Sequence, residues 1–407
     1  MNWSQLPRAI RRRLSRPVAT DRSSERRGRR SSIGVSIQPG LVAAAQCEYT
    51  AHGPKLLALA EVEVPIDAQP AEIGRHLATL IDAHPYQGCR AVALLGLSDV
   101  LVQSIRVPRA SGDELEAIVR SETADRLPIA PQDCEVRFLP AAEVRHEDGV
   151  RQEVLLLACR RDVIDRQLDI LATAGLEPVA LDLEAAATLR ALDPGASSRG
   201  PLANDAAGLP ILPHRGIISL TRQSLSLTLV ENGRILFAKH LAGGGYELDR
   251  AIADAMDFPL SEATRLRNSI AGCRRLDRHD DVHRALADAI ARPLESMSRE
   301  LELCLRYHKI TFRRELASLE LVGSEAAGWL ADSIAVRLGI DCPLGELGLD
   351  AEAGVGSSAR QGLRRPSRWI APIGAALRPR SAAPGDLVAG DATPTGSDPE
   401  TAAEVTA

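Results

Sequence analysis

Over residues 217–248 the hydrophobic and polar positions change rhythm three times. Ile217, Ile218 and Leu220 make a short apolar run. Leu225, Leu227 and Leu229 then alternate with Ser226 and Thr228, a period of two that fits a strand with one buried face. Glu231-Asn232-Gly233 supplies a hairpin turn, because Asn and Gly accept positive φ at low cost. Residues 235–239 return, and Gly243-Gly244-Gly245 ends the sheet. From Tyr246 the spacing is helical, with Leu248, Ile252 and Met256 four apart. Residues 31–45 repeat the layout more weakly, as a strand, a Pro39-Gly40 turn and a returning strand. Two such units far apart predict two related halves.

The same periods divide the rest of the chain. Strands are expected at 33–37, 41–48 and 56–64, then a helix over 71–83 with Ile73, Leu77, Leu80 and Ile81 on one face. Short strands follow at 91–95 and 100–107. Residues 106–179 read as a compact α+β module. Ser111 with Glu114 forms a capping box, Leu127-Pro128 ends that helix, and Gly175 stops a second helix over 161–174. Between them lie strands at 136–139 and 153–159; the unbroken apolar run 154–158 marks the latter as central. Later helices are expected at 180–192, 247–256, 261–271, 285–307 and 327–338. Strands are expected at 318–322 and 339–344, with a last structured piece at 367–378. The predicted organisation is a basic arm (1–30), a first lobe (31–192) carrying an inserted subdomain (about 106–179), a linker rich in Pro and Gly (193–215), a second lobe (216–378) and a disordered tail (379–407).

Composition narrows the function classes. Aromatics are 3% of 407 residues, so the core is built from Leu, Ala, Val and Ile. A net charge of -5 argues against nucleic-acid binding by the body of the protein. Seven dispersed cysteines without a CxxC pair suit buried free thiols in a reducing compartment. No apolar run reaches about 18 residues, so no membrane span is expected, and no apolar segment follows the basic start as in a secretory signal. The arm holds ten arginines, with Trp3, Leu6, Ile10 and Leu14 at helical spacing. It reads either as an interfacial helix on an anionic membrane surface or as a disordered basic tail. His279 and His283 lie four apart among Asp277, Asp280 and Asp281, and read as a solvated connection; no metal site is expected. GxSxG and GxxxxGK[ST] motifs are absent.

Several segments together resemble one family. Val107-Pro108 with Asp113-Glu114-Leu115, Glu122 and Leu127-Pro128-Ile129 looks like its entry to an inserted subdomain. Ala174-Gly175-Leu176-Glu177-Pro178 and Leu181-Asp182-Leu183-Glu184-Ala185 look like the exit. The stretches 237–245, 319–330 and 371–378 match its remaining motifs in order. The chain resembles the actin-like PilM family of type IV pilus assembly and, more distantly, the cell-division protein FtsA. The resemblance implies an α/β fold with an α+β insertion: an actin/Hsp70-like two-lobed ATPase fold around a nucleotide cleft. It implies a scaffold at the cytoplasmic face of an inner membrane, binding the cytoplasmic N-terminal peptide of a PilN-like partner, and leaves self-association open.

Intact relatives hold ATP and Mg²⁺ with Asp-x-Gly turns. Here Ser36 and Gln38 stand at the first turn, and Ser219 and Thr221 at the second. A serine cannot supply the charge that orders a Mg²⁺ water shell, and glutamine adds a Cβ where the chain should pass near phosphate. At the third loop a double glycine becomes Gly323-Ser324, followed by Glu325, which would repel a phosphate. Gly244 and Gly245 are retained, as an anion cradle at a helix start or as a tight turn needing small residues. The nearest acids are Asp21 and Asp99, neither in a strand turn with glycine. The expected protein is a pseudo-ATPase with no cofactor. The alternatives are an active ATPase or kinase of the same superfamily and an FtsA-like membrane tether.

Overall fold

The computed structural model describes residues 30–379 apart from 52, 147–148, 194–202, 205–209, 212–213, 232 and 350–362. The basic arm up to residue 29, the tail from 380 and most of the 193–215 connection therefore lie outside the described residues.

The first meander forms where its alternation places it. β1 (Ile33–Gln38), β2 (Leu41–Thr50) and β3 (Gly53–Glu63) pair antiparallel. α1 (Pro70–Ala83) begins on a proline, which fits a first turn that needs no N–H, and buries Ile73, Leu77 and Leu80. β4 (Arg90–Leu95) returns parallel to β1. The chain then leaves this sheet. β5 (Val100–Pro108), α2 (Gly112–Arg126), β6 (Cys134–His146) and β7 (Gly149–Arg160) build a separate sheet ordered β5-β7-β6, with the apolar β7 in the middle. α3 (Arg161–Thr173) packs back on α1, and β8 (Glu177–Leu183) lies parallel to β4, followed by α4 (Glu184–Leu192). The first sheet is thus ordered β3-β2-β1-β4-β8.

Two expectations shift here. The inserted sheet spans 100–160, not 106–179, because α3 and β8 belong to the first sheet and its cover. Residues 180–183 are strand rather than helix; pairing with β4 decides a run that suited both.

After a two-residue ladder of β9 (Ala203–Asn204) with β10 (Pro210–Ile211), the second lobe repeats the design. β11 (Arg215–Leu220), β12 (Leu225–Glu231) and β13 (Arg234–Leu241) form an antiparallel meander. Helices α5 (Gly245–Met256), α6 (Leu260–Ser269), α7 (Asp281–Ala289) and α8 (Ala291–Phe312) follow. β14 (Ser318–Val322) then pairs parallel with β11, and α9 (Gly328–Leu338) covers the sheet. The order β13-β12-β11-β14 repeats β3-β2-β1-β4, so the two halves are related as the sequence pattern predicts.

The helix expected over 285–307 is two helices that meet at Ile290. Pro293, in the first turn of α8, has no N–H to continue the earlier ladder. Residues 339–344 are not a full strand. They run along the edge of β14, where Leu319 and Leu321 donate to Asp341 and Pro343 carbonyls at 2.8 Å, and Pro343 cannot donate in return.

A closing helix, α10 (Ile370–Ala376), crosses back onto the first lobe and packs on α4, β1 and β2. Buried Asp182 accepts from Arg190 at 3.0 Å and from Arg378 at 2.7 Å, pinning both ends of this return. One apolar core joins the lobes, running from Leu59, Leu95 and Leu189 to Ile217, Val322 and Trp369. All seven cysteines are free; Cys89 and Cys273 are partly exposed rather than buried. Among the described residues no helix is long and apolar enough to cross a membrane.

A chain of buried polar rings ties α8 to the start of the second sheet. His308 and His214 share a hydrogen bond of 2.7 Å, His214 continues to Glu231 at 2.8 Å, and Arg314 donates to the same Glu231 oxygen at 2.9 Å. Burial, reinforced by neighbouring His214, pushes His308 down to about 4 from an ordinary 6.5. A neutral buried imidazole stabilises the fold above its ordinary value and loses that contribution as pH falls toward 4. Glu231, held low by His214, loses its contribution in the same direction. We expect stability to drop by up to about 3 kcal/mol between pH 6.5 and pH 4. Urea midpoints across this range are the check, and His308→Leu should flatten the profile.

Candidate functional site: the cleft between the two sheets

The three turns flagged in the sequence converge where the lobes meet. Ser36, Gln38, Gly323 and Ser324 line one pocket together with Glu61, Glu184, Arg368, Ala371 and Pro372. The enclosed space left between these groups is no more than that of one water. Side chains fill it. Ser324 Oγ donates to Gln38 Oε1 at 3.1 Å across the lobes, and Gln38 Nε2 donates to Ser36 Oγ at 3.2 Å. The glutamine that stands in place of a turn glycine therefore joins the first and third loops directly.

A second bridge crosses nearby. Ser219 Oγ donates to Glu184 Oε1 at 2.7 Å, linking β11 of the second lobe to the first turn of α4. Burial pushes the Glu184 carboxyl above the usual glutamate range; the Ser219 hydrogen bond opposes this and Asp99 adds to it. Asp99 corrects one expectation, because it does sit in a strand turn with a glycine: its N–H donates to the Gly96 carbonyl at 3.0 Å between β4 and β5. A Cβ on Gly96 would stand 3.6 Å from Glu184 Oε2 and 3.7 Å from Asp99 Oδ2, so the two carboxyls converge there. Burial raises Asp99 as well, against its backbone hydrogen bond, Arg166 and His240. The cleft thus holds acids, supplied by elements other than the two hairpins. Among the described residues no group of three potential ligands is placed to hold a metal ion.

Gly244 caps α5 and Gly245 opens it, in a tight turn against the β11–β12 hairpin. Gly245 N donates to the Thr221 carbonyl at 3.0 Å, and Tyr246 N to the Arg222 carbonyl at 2.7 Å. The first two N–H groups of the helix are therefore taken up by carbonyls of the neighbouring hairpin. A Cβ on Gly244 would stand 2.7 Å from the Arg222 carbonyl oxygen, which explains the small residue. Thr221, Gly244 and Gly245 sit at this junction and do not line the pocket.

Glu325 turns away from the cleft. Its Oε2 lies 2.6 Å from Arg267 Nη2, and Arg267 also binds buried Asp249 through Nε at 2.5 Å. Asp249 in turn accepts from Thr264 at 2.8 Å. The acid next to the third loop is thus neutralised by an arginine from α6. Across the pocket Arg368 pairs with Glu61 at 3.0 Å.

Sequence reasoning missed Glu184, Arg222, Arg368 and the Asp249–Arg267 pair as parts of this region. Glu184 had a signal, an acid opening a helix after an apolar strand. The partners 18 residues apart on α5 and α6 had none.

The pairing of acid-free hairpins with a closed cleft predicts that restoring an acid harms the fold. Ser219→Asp places a second carboxylate against Glu184, and two such groups cannot both ionise at short range. The shared proton makes the native state bind more protons than the unfolded chain, so stability falls as pH rises. The expected loss is about 2–4 kcal/mol at pH 8, partly regained at pH 5. Ser219→Asn, which adds no charge, should lose less and show no such slope in denaturant titrations.

Two lobes of repeated topology, an inserted small sheet and three turns meeting in the cleft define an actin-like protein. A family model for the type IV pilus assembly protein PilM matches residues 66–378, and the chain belongs to that family. Among solved structures, a chain of the PilM-PilN type IV pilus biogenesis complex is 21% identical with a TM-score of 0.68, over 85% of this chain and 98% of that one. The ethanolamine utilization protein EutJ from Carboxydothermus hydrogenoformans is 14% identical with a TM-score of 0.47, over 90% of this chain and 94% of its own.

Proposed function

We propose that this chain is a non-catalytic scaffold of a type IV pilus or type II secretion-like assembly, a pseudo-ATPase that works by gripping proteins. It sits in the cytoplasm at the periphery of the inner membrane and binds the cytoplasmic N-terminal segment of a PilN-like membrane protein. The observation that carries the catalytic half of this reading is the pair of cross-lobe bridges. Ser36, Gln38, Ser219 and Ser324, the positions that the family resemblance assigns to the nucleotide, are engaged in or beside the Gln38–Ser324 and Ser219–Glu184 bridges, which supports this reading. Each lost charge or hydrogen-bond contact costs about 1–3 kcal/mol of binding, and several together move micromolar affinity to millimolar or weaker. The partner half is supported by family membership and by the likeness to a chain solved in a PilM–PilN complex.

Two measurements test it. Purified full-length protein with Mg-ATP should release no phosphate above a no-protein control; steady turnover abolished by EDTA would sink the pseudo-ATPase. Calorimetry with the N-terminal peptide of the neighbouring membrane protein should show binding, and absence of heat at high concentration counts against the scaffold. Residues 1–30 are assigned to an anionic membrane surface, and flotation with vesicles containing anionic lipid should depend on them. A Mg²⁺-dependent ATPase is the competing reading, favoured by the convergence of Glu184 and Asp99 on Gly96. The same turnover assay decides between them.

A further inference from the structure

We propose that the outer face of α8 is a docking site for the acidic 381–407 segment of this same chain. The inner face of α8 buries Leu294, Met297, Leu301 and Cys304. On the outer face Leu303, Tyr307 and Ile310 are 55%, 36% and 70% exposed. Steps of four and three residues place these side chains in one stripe. The stripe has a wall on one side. The Tyr307 ring lies 5.4 Å from that of Phe237 on β13, and its hydroxyl donates to buried Glu153 of β7 at 3.3 Å. The apolar surface is therefore a step between α8 and the inserted sheet, a shape that suits a chain segment better than a flat bilayer.

Charge around the stripe is uneven. Arg306, Lys309, Arg313 and Arg314 stand exposed along and just beyond its C-terminal half. Lys309 pairs with Glu315 and Arg314 with Glu231, which leaves Arg306 and Arg313 in excess. Glu302, beside Leu303, marks the opposite end. An occupant of the basic end has to be acidic with apolar groups close to its acids. Residues 381–407 contain no Lys or Arg and carry Asp386, Asp391, Asp398, Glu400 and Glu404. Leu387-Val388 follows Asp386 directly. The arginine-rich arm has the wrong sign for this end of α8.

The segment also starts within reach. Arg378, just after α10, contacts Asp182, and Asp182 contacts Arg190 on α4. Asp193 at the end of α4 holds Arg215, and the neighbouring His214 bonds His308 on α8. This short run of contacts is far less than the roughly 90 Å that residues 381–407 span when extended. Tethering at such a length gives a local concentration on the order of millimolar, so an intrinsic affinity of about 1 mM fills the face about half the time. A few apolar contacts and two screened charge pairs suffice for that, and salt weakens them.

The test puts p-benzoylphenylalanine, a photo-cross-linking residue, in place of Ile310 in the full-length chain. Val336 on α9, 75% exposed, is the control position. Trypsin has no site beyond Arg380, so 381–407 is released as one peptide. Illumination at low salt should join that peptide to α8, and within single molecules when isotope-labelled and unlabelled chains are mixed. The yield should be about fivefold or more above that from position 336. Molar salt, or the double variant Arg306→Glu with Arg313→Glu, should lower it about threefold or more. Adding Asp386→Lys and Asp391→Lys to that variant should restore it. No cross-link to 381–407, cross-links only between molecules, capture of residues 1–30 instead, or an equal yield at position 336 overturns the proposal. So does a yield unmoved by salt and charge reversal, or a loss that the lysines do not restore. With vesicles containing anionic lipid, attachment to lipid in place of the peptide assigns the face to a membrane and also overturns it.

Discussion

Arg267→Leu should cost about 3–5 kcal/mol, the largest loss expected from any single charge in this protein. Arg267 is 3% exposed and Asp249 is 0% exposed, so the pair is shut off from water. The guanidinium contacts Asp249 through Nε at 2.5 Å and through Nη2 at 3.2 Å, and reaches Glu325 at 2.6 Å. Removing it leaves two carboxylates facing each other in a closed space, one of which opens the loop after Gly323. Solvent cannot repay the loss at Asp249, which lies on α5 and is 0% exposed. Conversely, Asp249→Asn in the same background should recover part of the stability by deleting one stranded charge. Urea or thermal midpoints of the two variants are the check. Equal midpoints for wild type and Arg267→Leu would mean the triad is not closed to water. A surface pair gives the contrast: Arg299–Glu295 on α8 is exposed, and breaking it should change stability by less than about 1 kcal/mol.

Gly374→Ala should cost about 3 kcal/mol or more and lower the thermal midpoint by many degrees. A Cβ at position 374 would stand 1.8 Å from the Ala187 carbonyl oxygen and 2.4 Å from its carbon. Both atoms belong to the backbone of α4, so no side-chain rotation relieves the overlap. The two helices must separate, and with them goes the hydrogen bond of 2.5 Å from Arg190 to the Gly374 carbonyl. α10 is also the element that carries the chain back from the second lobe to the first. A shift there loosens the core that joins the lobes, so the effect should reach the Gln38–Ser324 bridge. Gly272→Ala is the control; nothing lies within 4 Å of its Cβ position, and its change should be within about 1 kcal/mol. Hydrogen exchange at β1 in a folded Gly374→Ala sample would show whether the cleft opens.

Much of the architecture was legible in the amino-acid pattern because its signals are local. Leu225, Leu227 and Leu229 alternate with polar residues and form β12. Ile73, Leu77 and Leu80 recur at helical spacing and form the buried face of α1. The resemblance between residues 31–45 and 217–241 returned as the same strand order in both sheets. The failures were equally physical. Residues 180–183 suit a strand or a helix by period, and a partner strand 88 residues earlier in the chain settles the matter. The break at Ile290 follows from Pro293, a local signal that the expected helix over 285–307 ran through. At the cleft, Ser36, Gln38, Ser219 and Ser324 could be named as altered positions, but not that they pair.

Local order along the chain was enough to set the strands, the helices and the duplication of halves, since side-chain period and turn chemistry act within a few residues of one another. Tertiary structure alone decided what fills the cleft. Gln38 meets Ser324 over 286 residues and Ser219 meets Glu184 over 35, and no pattern in one strand specifies which side chain will face it from another lobe. The reason is that such contacts depend on how two sheets are brought together by the closing helix, a geometry set by packing of the whole core rather than by any one segment.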